Sequence, residues 1–269
     1  LLKVRLTGPA SVLGQEFALA APDPNAAAPV VAQHSVSLSA YEIIRGADIF
    51  MGFNAAWVST VRIAAGPPEV TEDRVMLQRI VVPPDPLGNP LLPVAAGVDG
   101  LPGADGDAPI EIGLGTAPSM AVAHGGETIV VWIGTDGSLR GRMFDAGGVE
   151  LTAAIALTAG GAGISLDTAL AGVRIPAGHA ARVVPLGAGN FGVFWVAQND
   201  APGALAGDLV VKGLTFVVGD AAGTWDAGAI RTVLDLPEGA NGYLPGSFAV
   251  AGLGEANDGG VITYGTLDG

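Results

Sequence analysis

Three carboxylates, Asp99, Asp105 and Asp107, crowd a nine-residue stretch that also holds Gly100, Gly103 and Gly106. Hard oxygen donors on a bendable backbone suit Ca²⁺, so these three residues are the metal-ligand candidates and calcium the candidate cofactor. The spacing is not that of an EF-hand, which closes its loop with a Glu at the twelfth position. A solvated acidic loop is the plainer account of the same residues. Asp136 and Asp268 each precede a glycine, and an Asp-Gly turn explains them without a metal.

Other chemistry finds less support. Gly187, Gly189 and Gly192 satisfy the G-x-G-x-x-G pattern. A dinucleotide site needs a helix next, to hold the pyrophosphate at its N-terminus. Val193-Phe194-Trp195-Val196 follows instead, which reads as a strand, so the glycines are expected to form a hairpin turn. His34, His124 and His179 are far apart and form no H-E-x-x-H. Gly163-Ile164-Ser165-Leu166-Asp167 lacks the second glycine of a nucleophile elbow. No carboxylate pair stands out for glycoside hydrolysis.

The elements that would carry such residues form a recurring pattern. Gly125-Gly126-Glu127-Thr128-Ile129-Val130-Val131-Trp132 is followed by Asp136-Gly137, then by Leu139-Arg140-Gly141-Arg142-Met143-Phe144. Gly259-Gly260-Val261-Ile262-Thr263-Tyr264 is followed at the same interval by Asp268-Gly269. The continuation has a counterpart at the other end, Leu2-Lys3-Val4-Arg5-Leu6, which predicts that the first strand completes the last repeat. Phe191 to Trp195 and Val210 to Phe216 form a third copy. Ile49 to Phe53 with Met76 to Ile80 form a weaker one. The aromatic anchors expected from this register are Phe53, Trp132, Trp195 and Tyr264, spaced 79, 63 and 69 residues.

Strands are expected at Val30–Leu38, Arg74–Val82, Ile110–Leu114, Thr128–Ile133, Leu139–Phe144, Leu151–Leu157, Val173–Ile175, Gly192–Ala197, Leu209–Val218 and Val261–Tyr264. Ser39 with Glu42 has the form of a capping box and suggests one helical turn over Ser39–Ile44. No long 3.6-residue period is visible. The fold expected is all-β and antiparallel, with propeller-like repeats of about four units, or alternatively a pair of β-sandwiches. Residues 1–269 read as one repeat-built domain, a fragment or processed part of a longer chain.

Composition agrees. Gly 42 and Pro 19 are spread along the chain, as turns between short strands require. Hydrophobic content of 49% supports a core. A net charge of −14 with 12 Lys+Arg argues against nucleic acid and anionic membrane as partners. Without cysteine there are no disulfides, thiolate zinc sites or cysteine nucleophiles. No apolar run reaches transmembrane length.

Gly126-x-x-x-Val130-Val131-Trp132, then Asp136-Gly137-Ser138-x-x-Gly141-Arg142-x-Phe144-Asp145-x-x-Gly148, resembles a repeat common in large secreted proteins of proteobacteria. Those chains often also carry haemolysin-type (RTX) calcium-binding repeats. The resemblance implies a β-propeller-like domain, export through a type I system and a surface role. It implies no catalytic residue: the aromatic packs between sheets, the glycines turn, and Arg142 pairs with an acid. This chain lacks true RTX nonapeptides, since the Asp after Gly160-Gly161-Ala162-Gly163 comes two positions late. The function expected is a non-enzymatic extracellular module, structural or adhesive, calcium-stabilised through the acidic loop, with a protein or carbohydrate surface or its own copies as partner. The alternatives are a strand-complemented fibre subunit and a propeller-type glycoside hydrolase.

Overall fold

The computed structural model describes residues 3–4, 17–18, 29–45, 48–82, 94–96, 109–123, 126–145, 157–159, 162–164, 170, 172–200, 203–204, 208–218, 225–237, 242–253 and 260–266. These form antiparallel sheets that follow one another in chain order. β1 (Lys3–Val4) pairs with β2 (Phe17–Ala18). The first large sheet runs β3 (Val30–Arg45), β4 (Asp48–Ala64) and β5 (Val70–Val82), with β6 (Val94–Ala96) and β7 (Ile110–Leu114) both on the outer side of β5. The second holds β8 (Thr116–Val122), β9 (Thr128–Ile133) and β10 (Leu139–Phe144). A small pair follows, β11 (Leu157–Ala159) and β12 (Ala162–Ile164). The third large sheet runs β13 (Ala181–Pro185), β14 (Phe191–Gln198) and β15 (Leu209–Val218), with β16 (Trp225–Ala227) and β17 (Arg231–Asp235) outside β15. β18 (Ala249–Gly252) and β19 (Gly260–Thr263) form the last.

The sheets stack face to face, and alternation along each strand explains how. In the second sheet Ala121, Ile129, Val131, Leu139 and Met143 pack against Val183, Val193, Trp195, Leu214 and Phe216 of the third. The intervening residues Met120, Val130, Trp132 and Phe144 pack against Ala56, Val75, Leu77 and Ile112 of the first. Both faces are therefore apolar, and Ile129 to Trp132 read as an unbroken hydrophobic run. Asn54 Nδ2 donates to Thr128 Oγ1 at 2.7 Å and spans the same junction between sheets one and two.

The first strands of successive sheets lie side by side: β3 along β8, β8 along β13, β13 along β18. Side-chain hydroxyls link them. Met120 N–H donates to Ser37 Oγ and Val122 N–H to Ser39 Oγ, each at 3.1 Å. One sheet further, Val183 N–H donates to Ser119 Oγ at 3.0 Å. Ser37 lies opposite Ala56, the residue before Trp57; Ser119 lies opposite Val131, the residue before Trp132. Ser37 and Ser119 thus occupy one repeat position. The bulges beside them also match. Ser35 (φ 53) and Ala117 (φ 51) sit in left-handed backbone opposite the respective Trp.

This register corrects the sequence reading at two anchors, of which the last, Tyr264, follows β19 and is 37% exposed. The first sheet's counterpart of Trp132 and Trp195 is Trp57, 1% exposed, and not Phe53. Ser39–Ile44 is strand, not a helical turn: each of these residues pairs with β4, and that ladder outweighs a local cap. Residues 173–175 make one isolated bridge, Arg174 to Ser138, in place of the expected strand. The described pairing of Lys3–Val4 is with Phe17–Ala18, and that of β19 is with β18. Of Leu151–Leu157, only Leu157 falls within the described residues.

Candidate functional site

The end of each sheet where its first strand begins also carries the turn between its second and third strands. At that end, between sheets one and two, lies a cavity of about 390 Å³. Its walls are Thr71, Glu72 and Asp73 at the start of β5, Gly115 and Thr116 leading into β8, and Thr135 after β9. A second recess of about 280 Å³ adjoins it at Thr135 and is lined by Trp132, Arg140 and Arg142. Glycine is required at the waist between them. A Cβ on Gly115 (φ 144) would stand 2.1 Å from the Ile133 carbonyl oxygen, and one on Gly113 2.6 Å from the Trp132 ring.

A directed hydrogen-bond chain borders the larger cavity. Thr60 faces Asp73 across the β4–β5 ladder and donates its hydroxyl to Asp73 Oδ1 at 2.6 Å. Having spent its proton there, Thr60 Oγ1 accepts from His34 Nε2, 3.3 Å away. That fixes the tautomer of neutral His34, so Nδ1 is the acceptor and Ser35 the donor, at 2.9 Å. His34 Nε2 lies 4.0 Å from Asp73 Oδ1, and both side chains are partly exposed, at 44% and 33%. The second sheet has Thr116, Ala117 and Thr135 at the positions of His34, Ser35 and Thr60, so it does not repeat this chain.

The neighbouring charges are mutually engaged. Arg74 bridges Glu72 at 2.9 Å and Glu111 at 3.0 Å. Asp136 accepts from the Ser138 hydroxyl at 2.5 Å and from the Ser138 N–H at 3.1 Å. These bonds, with the Arg140 guanidinium, lower its pKa to about 2. The groove therefore offers hydroxyls, held carboxylates and guanidinium groups to a polar ligand. Such groups fix the orientation of a polyhydroxylated or amide-bearing surface through directional bonds.

Asp99, Asp105 and Asp107 lie outside the described residues, as do His124, Ser165 and Asp268. Gly187–Gly189 forms a short 3₁₀ turn leading directly into β14, the hairpin expected in place of a nucleotide loop. Asp136 and Gly137 lie in the turn closed by Gly137 N–H to Gly134 O, 2.9 Å. His34 lies on the first sheet and His179 two residues before β13 of the third. What the sequence missed is the grouping of His34 with Thr60 and Asp73. Only the strand register brings these three together, and no local motif marks it. No family model, curated protein or solved structure matches this chain.

Proposed function

We propose that this chain is a non-enzymatic, extracellular, propeller-like β-repeat module with a structural or adhesive role. One observation carries the reading. The Ser37 and Ser119 hydroxyls join consecutive first strands at the same repeat position, so successive sheets are added by one rule. Stacked, bifacially buried sheets make a rigid scaffold, and scaffolds of this kind present loops and inter-sheet grooves to partners. The groove between sheets one and two is the proposed contact surface, for a carbohydrate or a polar protein surface. Calcium held by Asp99, Asp105 and Asp107 belongs to the same proposal.

The test is biolayer interferometry of the intact chain on immobilised polysaccharides and matrix proteins, with Ca²⁺ and after EDTA. Released reducing ends are assayed in parallel. Saturable binding without turnover, weakened by Glu72→Gln with Asp73→Asn, is expected. Turnover of any bound polysaccharide would replace the reading with the hydrolase alternative. Binding indifferent to the groove variants would move the contact surface elsewhere, and binding unchanged by EDTA would remove calcium from it.

A further inference from the structure

We propose that His179 is an acid-sensitive latch that holds the last sheet, β18–β19, against the third sheet. The inference is independent of what the groove binds. The junction between these sheets is a compact core. Val196 and Val211 come from the third sheet, Val250 and Ile262 from the last, and Leu236, Tyr243 and Phe248 from the connection between them. Tyr243 is the hub. Its backbone bridges to Thr266, and the next residue, Leu244, donates its N–H to Gly265 O at 2.9 Å. Ser247 ties the same ends together, accepting from Gly265 N–H at 2.7 Å and donating to Leu244 O at 2.7 Å.

His179, two residues before β13, stacks on Tyr243 with ring centroids 5.4 Å apart and planes 19° from parallel. Tyr264, just after β19, meets Tyr243 edge-on at 6.5 Å. An aromatic row thus runs from the third sheet through the connection to the last strand. Among the described residues, the row carries one buried polar atom without a hydrogen-bond partner, His179 Nδ1. A neutral imidazole tolerates this position better than an imidazolium, which would bring a second N–H and a full charge into it.

The described surroundings offer that charge no relief. Among the described residues, the charged and titratable groups acting on the row are Arg182, Tyr243 and Tyr264. Arg182 is a partly buried cation on β13, coupled electrostatically to Tyr243. No described carboxylate pairs with His179.

The pH window follows from these directions. Burial lowers the His179 pKa from 6.5. An undocked His179 takes its proton near the ordinary value, while the docked one resists. Docking is therefore strongest above about pH 6.5 and weakens as pH falls below it, until the lowered docked value is passed. Burial pushes the Tyr243 hydroxyl up, so it stays neutral throughout this window.

Hydrogen exchange of the intact chain at pH 7.5 and 5.5, corrected for intrinsic rates, tests the latch. Residues 243–253 and 260–266 should lose up to about tenfold protection at pH 5.5, the limit for a site that cannot protonate when docked. β9 and β10 serve as the reference and should not change. His179→Phe keeps the stack but cannot titrate, so its protection should be independent of pH. An equal pH response in wild type and His179→Phe would overturn the proposal. So would increased protection at pH 5.5, the sign of a cation–π contact outweighing burial. If His179→Phe folds poorly, the His179 ring resonances of the wild type decide instead. A midpoint below 6.5 supports the latch, and one at or above 6.5 overturns it.

Discussion

Ser119 concentrates the logic of the fold in one hydroxyl. It is 7% exposed, and its oxygen accepts the Val183 N–H from the neighbouring sheet. Ser119→Ala leaves that amide buried with no acceptor, which costs about 1–3 kcal/mol. Urea unfolding should show a loss of that size with an unchanged m-value. Ser37→Ala removes the equivalent bond at a half-buried site, where water replaces it, and should cost less. Equal costs, or none, would mean the hydroxyls do not set the spacing between sheets. In the sequence these two serines look like any others. Their role depends on which strand residue faces Ala56 or Val131, and that is a matter of register. The same blindness placed the first anchor at Phe53: Phe53 and Trp57 lie on the same strand face and are both buried, and only pairing tells them apart.

Elements were legible where short apolar runs and turn chemistry agreed. Thr128–Ile133 and Leu139–Phe144 carry apolar residues to both faces and are separated by Asp-Gly, and the observed strands have those bounds. The long strands were harder. β3 runs 16 residues through polar Gln33, His34 and Ser35, with two register shifts that break its period. Its Ser39-x-x-Glu42 box is a local signal overridden by thirteen-odd residues of shared ladder with β4, roughly the reverse of the usual weight given to caps. In the β9–β10 hairpin, Asp136 supplies a test. Its pKa is lowered from 3.8 to about 2, chiefly by the Ser138 hydroxyl and N–H. The folded turn therefore favours the carboxylate. That contribution is fully present above about pH 3.8 and is lost as pH falls through about 2. A carboxyl-carbon NMR titration of wild type should give a midpoint near 2. Ser138→Ala should move it toward 3.8; an unmoved midpoint would assign the shift to Arg140.

At the scale of the molecule, stacking makes neighbouring sheets share one core, and this limits how independently they can unfold. Trp195 is 1% exposed and sits in the cluster built from sheets two and three together. Trp195→Ala should cost about 3–5 kcal/mol, since a large cavity opens where neither sheet can collapse freely. The loss should not stay in the third sheet. Ile129, Val131, Leu139 and Met143 of the second sheet line the same cluster, so β8–β10 should lose exchange protection alongside β13–β15. The first sheet joins the second through a separate cluster around Trp132, so β4 and β5 should be less affected. Loss confined to β13–β15 would show that each sheet is its own cooperative unit and that the shared core is only contact. Loss of protection in all sheets at once would mean that the described sheets fold as a single unit. The graded outcome is expected because the second and third sheets each have two apolar faces with different partners. An additive chain of interfaces passes a disturbance to the nearest neighbour most strongly.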